Sequence, residues 1–134
     1  LPVYKGLYEK LGNEPLFLYN YAAERNVAGR YGESLRICKA SSVRMSDYYT
    51  RLLQADNCKQ LKRYKEAERH LQQASYMCPN RFTPLYELYT IYEAQGDTAS
   101  MHRTAEAILR KPIKVASPEV RQIIAKMKRF KQIN

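Results

Sequence analysis

Few side chains in this sequence could perform acid–base or nucleophilic chemistry, and their spacing does not bring them together. The histidines, His70 and His102, fall in different predicted helices, and no serine or cysteine stands in a motif that supplies it with a base. Four glutamates near lysines or arginines occupy ordinary solvated helix positions rather than forming a general acid pair, namely Glu66, Glu68, Glu87 and Glu93. We therefore predict no catalytic residue, and a domain that is not itself an enzyme.

The cysteines are too few for a disulfide scaffold and too far apart for the paired spacing of a zinc site. Cys38, Cys58 and Cys78 all fall on predicted helical apolar positions, which indicates core thiols. Glycine-rich phosphate loops and helical metal-binding motifs are also missing from the sequence. We predict neither a metal nor a cofactor.

Composition is that of one domain outside the membrane. The chain has 134 residues, of which 45% are apolar, enough for a continuous core. No run approaches the roughly 20 apolar residues of a membrane-spanning helix, and residues 1–20 lack the order of a signal peptide.

Positive charge is concentrated at the C-terminal end. The formal net charge is +10, and residues 101–134 hold nine Lys or Arg against two Glu. Such an end attracts lipid headgroups, nucleic acid or acidic proteins, with a plain solvated helix face as the alternative. The predicted basic cap comprises Arg110, Lys111, Lys114, Arg121, Lys126, Lys128, Arg129 and Lys131.

A repeat organises the sequence. The segments that begin at Gly29, Lys62 and Gly96 recur at offsets of 33 and then 34 residues, the helix-turn-helix period of tetratricopeptide repeats (TPRs). Gly29 and Gly96 suit a left-handed turn, and Lys62 in the same role costs about 1 kcal/mol. Helices are predicted on both sides of each turn, over residues 15–28 and 31–42, 48–61 and 64–77, and 82–95 and 98–111.

The predicted fold is all-α: a right-handed α-solenoid of three TPR repeats, 15–47, 48–81 and 82–112. Ser117-Pro118-Glu119 begins a capping helix over 117–131, with an N-cap, a first-turn proline and an acid at the positive end of the helix dipole. Its apolar stripe is Val120, Ile123, Ile124, Met127 and Phe130. Together the repeats and cap form a single TPR domain, 1–134.

The N-terminal end is expected to be a truncated array. The chain begins at Leu1-Pro2 without Met, and residues 1–13 carry the apolar spacing of a partial preceding helix. An uncovered N-terminal face of this kind predicts self-association as a further interaction.

Several segments are less generic than the repeat pattern, and through them the sequence resembles the C-terminal TPR region of bacterial O-antigen ligase or polymerase-like membrane proteins. They are Phe17–Glu24, Gly29–Leu35, Ala55–Asn57, Ala74–Phe82, Pro84–Leu88 and Lys111–Pro118. Lys62 and Met101 depart from the usual Gly and Ala of a TPR. The resemblance implies an appendage of a bacterial inner-membrane protein whose membrane portion joins or polymerises lipid-linked glycan.

Binding is the predicted function, because first helices of TPR hairpins line a concave face where peptides lie. Tyr19, Tyr49 and Tyr86 are favoured as contacts, whereas Tyr21, Tyr31, Tyr64 and Tyr92 hold structural positions of the repeat. The predicted concave face comprises Tyr19, Ala23, Asn26, Tyr49, Leu52, Asp56, Lys59, Tyr86, Thr90 and Glu93.

Two function classes follow. The leading one is a protein-interaction scaffold of a glycan-assembly membrane protein, and the alternative is a basic helical-repeat module that binds nucleic acid or an anionic membrane surface. Nucleic acid is the less favoured, since the predicted face carries Asp56 and Glu93. The side of the membrane stays open, although free thiols and positive charge favour the cytoplasmic side.

Overall fold

The computed structural model describes residues 15–40 and 47–133, and all regular secondary structure in that part of the chain is helical. The predicted helical stretches are confirmed there, with ends that differ by one or two residues. The predicted partial helix at 1–13 lies outside the described residues. The helices are α1 (Pro15–Val27), α2 (Tyr31–Ala40), α3 (Tyr48–Gln60), α4 (Tyr64–Met77), α5 (Thr83–Gln95), α6 (Thr98–Arg110) and α7 (Pro118–Ile133).

The turns between paired helices repeat the same geometry. Gly29, Lys62 and Gly96 have φ of 80°, 61° and 71°, so all three adopt the left-handed conformation predicted for them. The backbone N–H groups of Gly29, Lys62 and Gly96 each donate to the carbonyl three residues earlier, at 3.0, 3.0 and 3.1 Å. The N–H of the residue that follows each of them donates to the carbonyl five residues before it, at 2.8, 2.7 and 3.0 Å. These paired bonds are a Schellman motif, which satisfies carbonyls that the helix end would leave exposed.

The chain divides between Ala74 and Ser75 into two compact units. In the first, α2 packs against both α1 and α3. Leu18, Ala22 and Cys38 form a fully buried cluster, and Tyr19, Ile37 and Leu53 pack partly buried against it. This cluster lies where α1 and α2 pack together.

A chain of polar contacts also joins α1, α2 and α3 in the first unit. The Ser34 hydroxyl donates to the carbonyl of Ala22 at 2.6 Å, and Asn57 Nδ2 donates to Ser34 Oγ at 2.8 Å. Asn26 Nδ2 in turn donates to Asn57 Oδ1 at 2.9 Å. Because Ser34 and Asn57 are fully buried, these bonds replace the water that both side chains lose on folding.

The second unit is built by α5, α6 and α7. Phe82, Tyr89, Ala105, Ile108 and Met127 are its buried cluster. The apolar stripe predicted for the last helix is confirmed, since Val120, Ile123, Ile124, Met127 and Phe130 all belong to this cluster or pack against it. The predicted N-cap is confirmed as well, because Val120 N donates to Ser117 Oγ at 3.2 Å.

One cysteine prediction needs correction. Cys38 and Cys58 are fully buried in helices, as expected, but Cys78 is only partly buried and lies just after the end of α4. Pro79 is the reason, since the residue before a proline is pushed out of the helical conformation. Burial raises the pKa of Cys38 to about 12, and burial, with a smaller contribution from Glu66, raises that of Cys58 to about 11.

Across 15–40 and 47–133, each helix is too short or too polar to cross a lipid bilayer.

Candidate functional site

In the first unit, most residues of the predicted concave face already contact other parts of the protein. Tyr19 on α1 packs against the buried Leu18, Ala22 and Cys38, and this burial, with the nearby Asp47, raises its pKa. Ala23 on α1 and Leu52 and Lys59 on α3 are partly buried. Tyr49 on α3 is the accessible aromatic, with 51% of its surface exposed.

Asn26 and Asp56, predicted separately for this face, are in direct contact. Asn26 Nδ2 donates to Asp56 Oδ2 at 2.8 Å, and Gln60 Nε2 approaches Asp56 Oδ1 at 3.5 Å. The carboxylate therefore ties α1 to α3. A partner that used Asp56 would have to replace these bonds.

The second unit holds a groove between α5 and α7, with a volume of about 490 Å³. This volume lies within the usual range for ligand pockets. The groove mixes two carboxylates, two cations, three neutral polar or aromatic side chains and one aliphatic side chain. Its lining residues are Thr83, Tyr86, Glu87, Glu119, Gln122, Ile123, Lys126 and Arg129.

The α5–α7 groove contains residues of both predicted surfaces, the concave face and the basic cap. Tyr86 came from the predicted concave face, and Lys126 and Arg129 came from the predicted basic cap. Lys126 Nζ donates to Tyr86 Oη at 3.0 Å and stands 5.2 Å from the centroid of the Tyr86 ring. The hydrogen bond with Tyr86 raises the pKa of Lys126, so the ammonium stays charged at the groove wall.

Aromatic packing holds this wall in place. The rings of Tyr86 and Tyr89 are stacked 6.3 Å apart, and Phe130 meets Tyr89 edge-on at 5.4 Å. Lys126 Nζ is also 5.7 Å from the centroid of the Tyr89 ring. Because Tyr89 is 2% exposed, the groove is set on buried core rather than on mobile surface groups.

The other two residues of the predicted concave face in the second unit, Thr90 and Glu93, differ in their exposure to solvent. Thr90 donates its hydroxyl to the carbonyl of Glu87 at 2.7 Å, within its own helix. Glu93 is exposed near the end of α5.

Three cations of the basic cap have partners within the protein. Arg110 pairs with Glu106 at 2.7 Å, and Lys111 donates to the carbonyl of Pro79. Lys126 contacts Tyr86, as described above. The remaining predicted members are exposed, namely Lys114, Arg121, Lys128, Arg129 and Lys131.

The segments Ala74–Phe82 and Lys111–Pro118, which carry part of the family resemblance, meet in the second unit. Lys111 Nζ lies 5.8 Å from the centroid of the Phe82 ring. A second cavity of about 450 Å³ opens beside them, and α7 contributes Glu119, Val120 and Ile123 to its lining. The two segments contribute Asn80, Arg81, Phe82, Lys114, Val115 and Ser117 to its lining.

The first unit also holds a cluster of basic side chains that the sequence pattern does not predict. It surrounds a pocket of about 280 Å³ lined by Lys39, Arg51, Glu66, Arg69, His70 and Gln73. Four of the lining residues share one side of α4 by their helical spacing, which is visible in the sequence: Glu66, Arg69, His70 and Gln73. Lys39 and Arg51 come from α2 and α3, and only helix packing reveals that they join the same site.

Within the described residues, no group of three His, Cys, Asp or Glu side chains could hold a metal ion. No protein-family model matches the chain, and comparison with curated proteins finds no significant match.

Proposed function

We propose that this chain is a TPR scaffold, a right-handed α-solenoid that binds a protein or peptide partner. The main support for this proposal is that the same turn geometry recurs at Gly29, Lys62 and Gly96. Their offsets of 33 and 34 residues are the TPR period, and the same pair of backbone bonds closes each turn. In a TPR array, the first helices of the hairpins provide the binding face.

The α5–α7 groove is the proposed site of binding. A capping helix that follows the third repeat occupies the place of a further first helix, so its inner side would extend the same face. Tyr86 and Ile123 offer apolar surface, while Glu119 and Arg129 offer polar partners of both signs. This mixture suits an extended peptide with alternating apolar and charged side chains better than it suits a uniformly anionic polymer.

We further propose that the scaffold is the C-terminal appendage of a bacterial inner-membrane protein of the O-antigen ligase or polymerase type. Its support is the sequence resemblance carried by segments such as Ala74–Phe82 and Lys111–Pro118. The encoded sequence directly upstream of Leu1 tests this part. Several membrane-spanning segments are expected there, and a parent protein without them contradicts it.

A charge-matched pair of double variants tests the groove. Lys126→Gln with Arg129→Gln removes both cations of the groove, whereas Lys128→Gln with Lys131→Gln removes two exposed cations from the same helix outside it. Each tagged protein is used to isolate partners from a membrane extract, and bound proteins are quantified by mass spectrometry. Tyr19 and Tyr86 are poorer targets for alanine because both pack against buried clusters.

We expect the groove variant to lose a partner that the wild type and the control variant both retain. Equal loss in the two variants contradicts the groove proposal and favours the alternative, a basic surface that holds an anionic membrane or nucleic acid. In that case binding falls steeply with salt, because each contact depends on released counterions or on a screened surface potential. Retention by both variants places binding outside the groove.

A further inference from the structure

The basic pocket of the first unit has an excess of positive charge that its own residues do not neutralise. Lys39, Arg51 and Arg69 bring three cations to the pocket, and Glu66 is the sole carboxylate in its lining. Lys39 Nζ lies 3.6 Å from Glu66 Oε2, a pair that is partly exposed on both sides. Neither Arg51 nor Arg69 forms an ion pair with a carboxylate in the described part of the chain.

Arg51 is the most constrained of these cations. Its Nη1 lies 3.3 Å from His70 Nδ1 and 3.5 Å from Gln54 Oε1, while its Nε is buried without a hydrogen-bond partner among the described residues. A buried guanidinium N–H that donates to nothing costs free energy. An acceptor that reached Arg51 Nε, which requires a shift of the guanidinium because this atom has almost no accessible surface, would remove that cost.

The pKa of His70 is affected by the positive charges around this pocket. Since a guanidinium can only donate, His70 accepts at Nδ1 and carries its proton at Nε2. Burial, followed by the positive charge of Arg51, lowers the pKa of His70 to about 4. Lys39 on α2 and Arg69 on α4 also lower it, and Glu66 alone opposes them. At neutral pH the imidazole is therefore neutral, and its Nε2–H is one more donor.

We infer that the pocket formed by Lys39, Arg51, Arg69 and His70 binds a phosphate group. Two cations in excess of the single carboxylate match the charge of a phosphate monoester. Arginine presents a planar fork that fits phosphate oxygens, and an N–H donor of His70 can complete their coordination. The volume of about 280 Å³ holds such a group with several waters, since each water occupies about 30 Å³ in the liquid.

The experiment titrates the protein with inorganic phosphate at constant ionic strength, with chloride as the balancing ion. Calorimetry measures the affinity, and NMR of the His70 ring locates the site. We expect saturable shifts of the His70 signals and a higher pKa for His70 in the phosphate-bound protein, because the anion offsets the charges of Lys39, Arg51 and Arg69. Lys39→Gln and Arg69→Gln should each weaken binding about tenfold, while both leave the buried core untouched.

Lys65→Gln is the matched control, since Lys65 is exposed on α4 and does not line the pocket. It should change the affinity less than twofold. Absence of phosphate-dependent shifts at His70 would overturn the inference, as would equal weakening by Lys65→Gln and Arg69→Gln. The source of the phosphate group is resolved by competition. Vesicles that contain phosphatidic acid displace phosphate if the natural ligand is a lipid headgroup, and a soluble phosphomonoester alone does so if it is a small molecule.

Discussion

Asn57 on α3 and Ser34 on α2 are joined by a hydrogen bond of 2.8 Å in which the amide nitrogen of Asn57 donates to the hydroxyl oxygen of Ser34. Both side chains are fully buried. The Ser34 hydroxyl is itself bonded to the carbonyl of Ala22 on α1, so one amide and one hydroxyl connect three helices. A buried network of this kind fixes the register of helices more strictly than apolar packing alone.

The first prediction concerns this network. Asn57→Ala removes the bonds to Ser34 and Asn26 and leaves a small cavity, so we expect the free energy of unfolding to fall by about 2–3 kcal/mol. Asn20→Ala, at an exposed position of α1, should change it by less than about 0.5 kcal/mol. Urea titration followed by circular dichroism measures both. Equal effects of the two substitutions would show that the network does not stabilise the fold.

The second prediction concerns the left-handed turn at Lys62. Lys62→Gly should stabilise the protein by about 1 kcal/mol, because glycine adopts a positive φ without steric cost. Gly29→Ala and Gly96→Ala should each destabilise it by about 1 kcal/mol through the backbone alone, since an added Cβ would contact no heavy atom within 4 Å. Thermal unfolding provides the values.

Lys65→Gly is the control for this series because it introduces glycine three residues later, in the first turn of α4. It should cost up to about 0.5–1 kcal/mol, the penalty for glycine in a helix interior. If Lys62→Gly destabilises the protein as Lys65→Gly does, the three turns do not share the conformation that supports the repeat.

The third prediction is a dependence of stability on pH that arises from His70. Its pKa is lowered from 6.5 to about 4 in the folded protein, so between these values the unfolded chain binds the proton and the folded chain does not. Stability must therefore fall as the pH is lowered through this window, by about 1–2 kcal/mol once solvent screening of the partly exposed ring is allowed for. The difference in unfolding free energy between wild type and His70→Gln, measured from pH 7 to pH 4, should follow that course. A difference that is independent of pH would contradict it.

The fourth prediction concerns the thiols. Iodoacetamide at neutral pH should modify Cys78 in the folded protein and spare Cys38 and Cys58, because burial keeps both of these protonated and inaccessible. All three should react in urea. Peptide mass spectrometry identifies the adducts, and early modification of Cys38 would be inconsistent with the packing of α1 on α2.

The helices and turns could be predicted because their signals are local. Gly29 and Gly96 mark helix ends by their conformational freedom, and the constant offset assigned the same role to Lys62, which no propensity would have suggested. The prediction for Cys78 is wrong because the apolar spacing of α4 continues to this residue, whereas Pro79 ends the helix. Local stereochemistry outweighed periodicity there.

The site could be predicted only in parts. Tyr86 was expected on a binding face and Lys126 on a charged cap, but their contact depends on how α7 rotates when it buries Met127. The basic pocket was missed for a similar reason, since Lys39 and Arg51 belong to different helices. Which side chains converge on a pocket is decided by helix packing, which the local spacing of residues does not reveal.

Site-specific photo-crosslinking can show whether a partner protein binds in the α5–α7 groove. A photoreactive phenylalanine derivative replaces Gln122, which lines the groove, or Arg103, which is exposed on α6 outside it. After irradiation in cells, cross-linked products are identified by mass spectrometry. We expect a partner protein to be captured from position 122 and to be lost when Lys126→Gln and Arg129→Gln are added. Capture from position 103 alone, or undiminished capture from position 122 in the double variant, would contradict it.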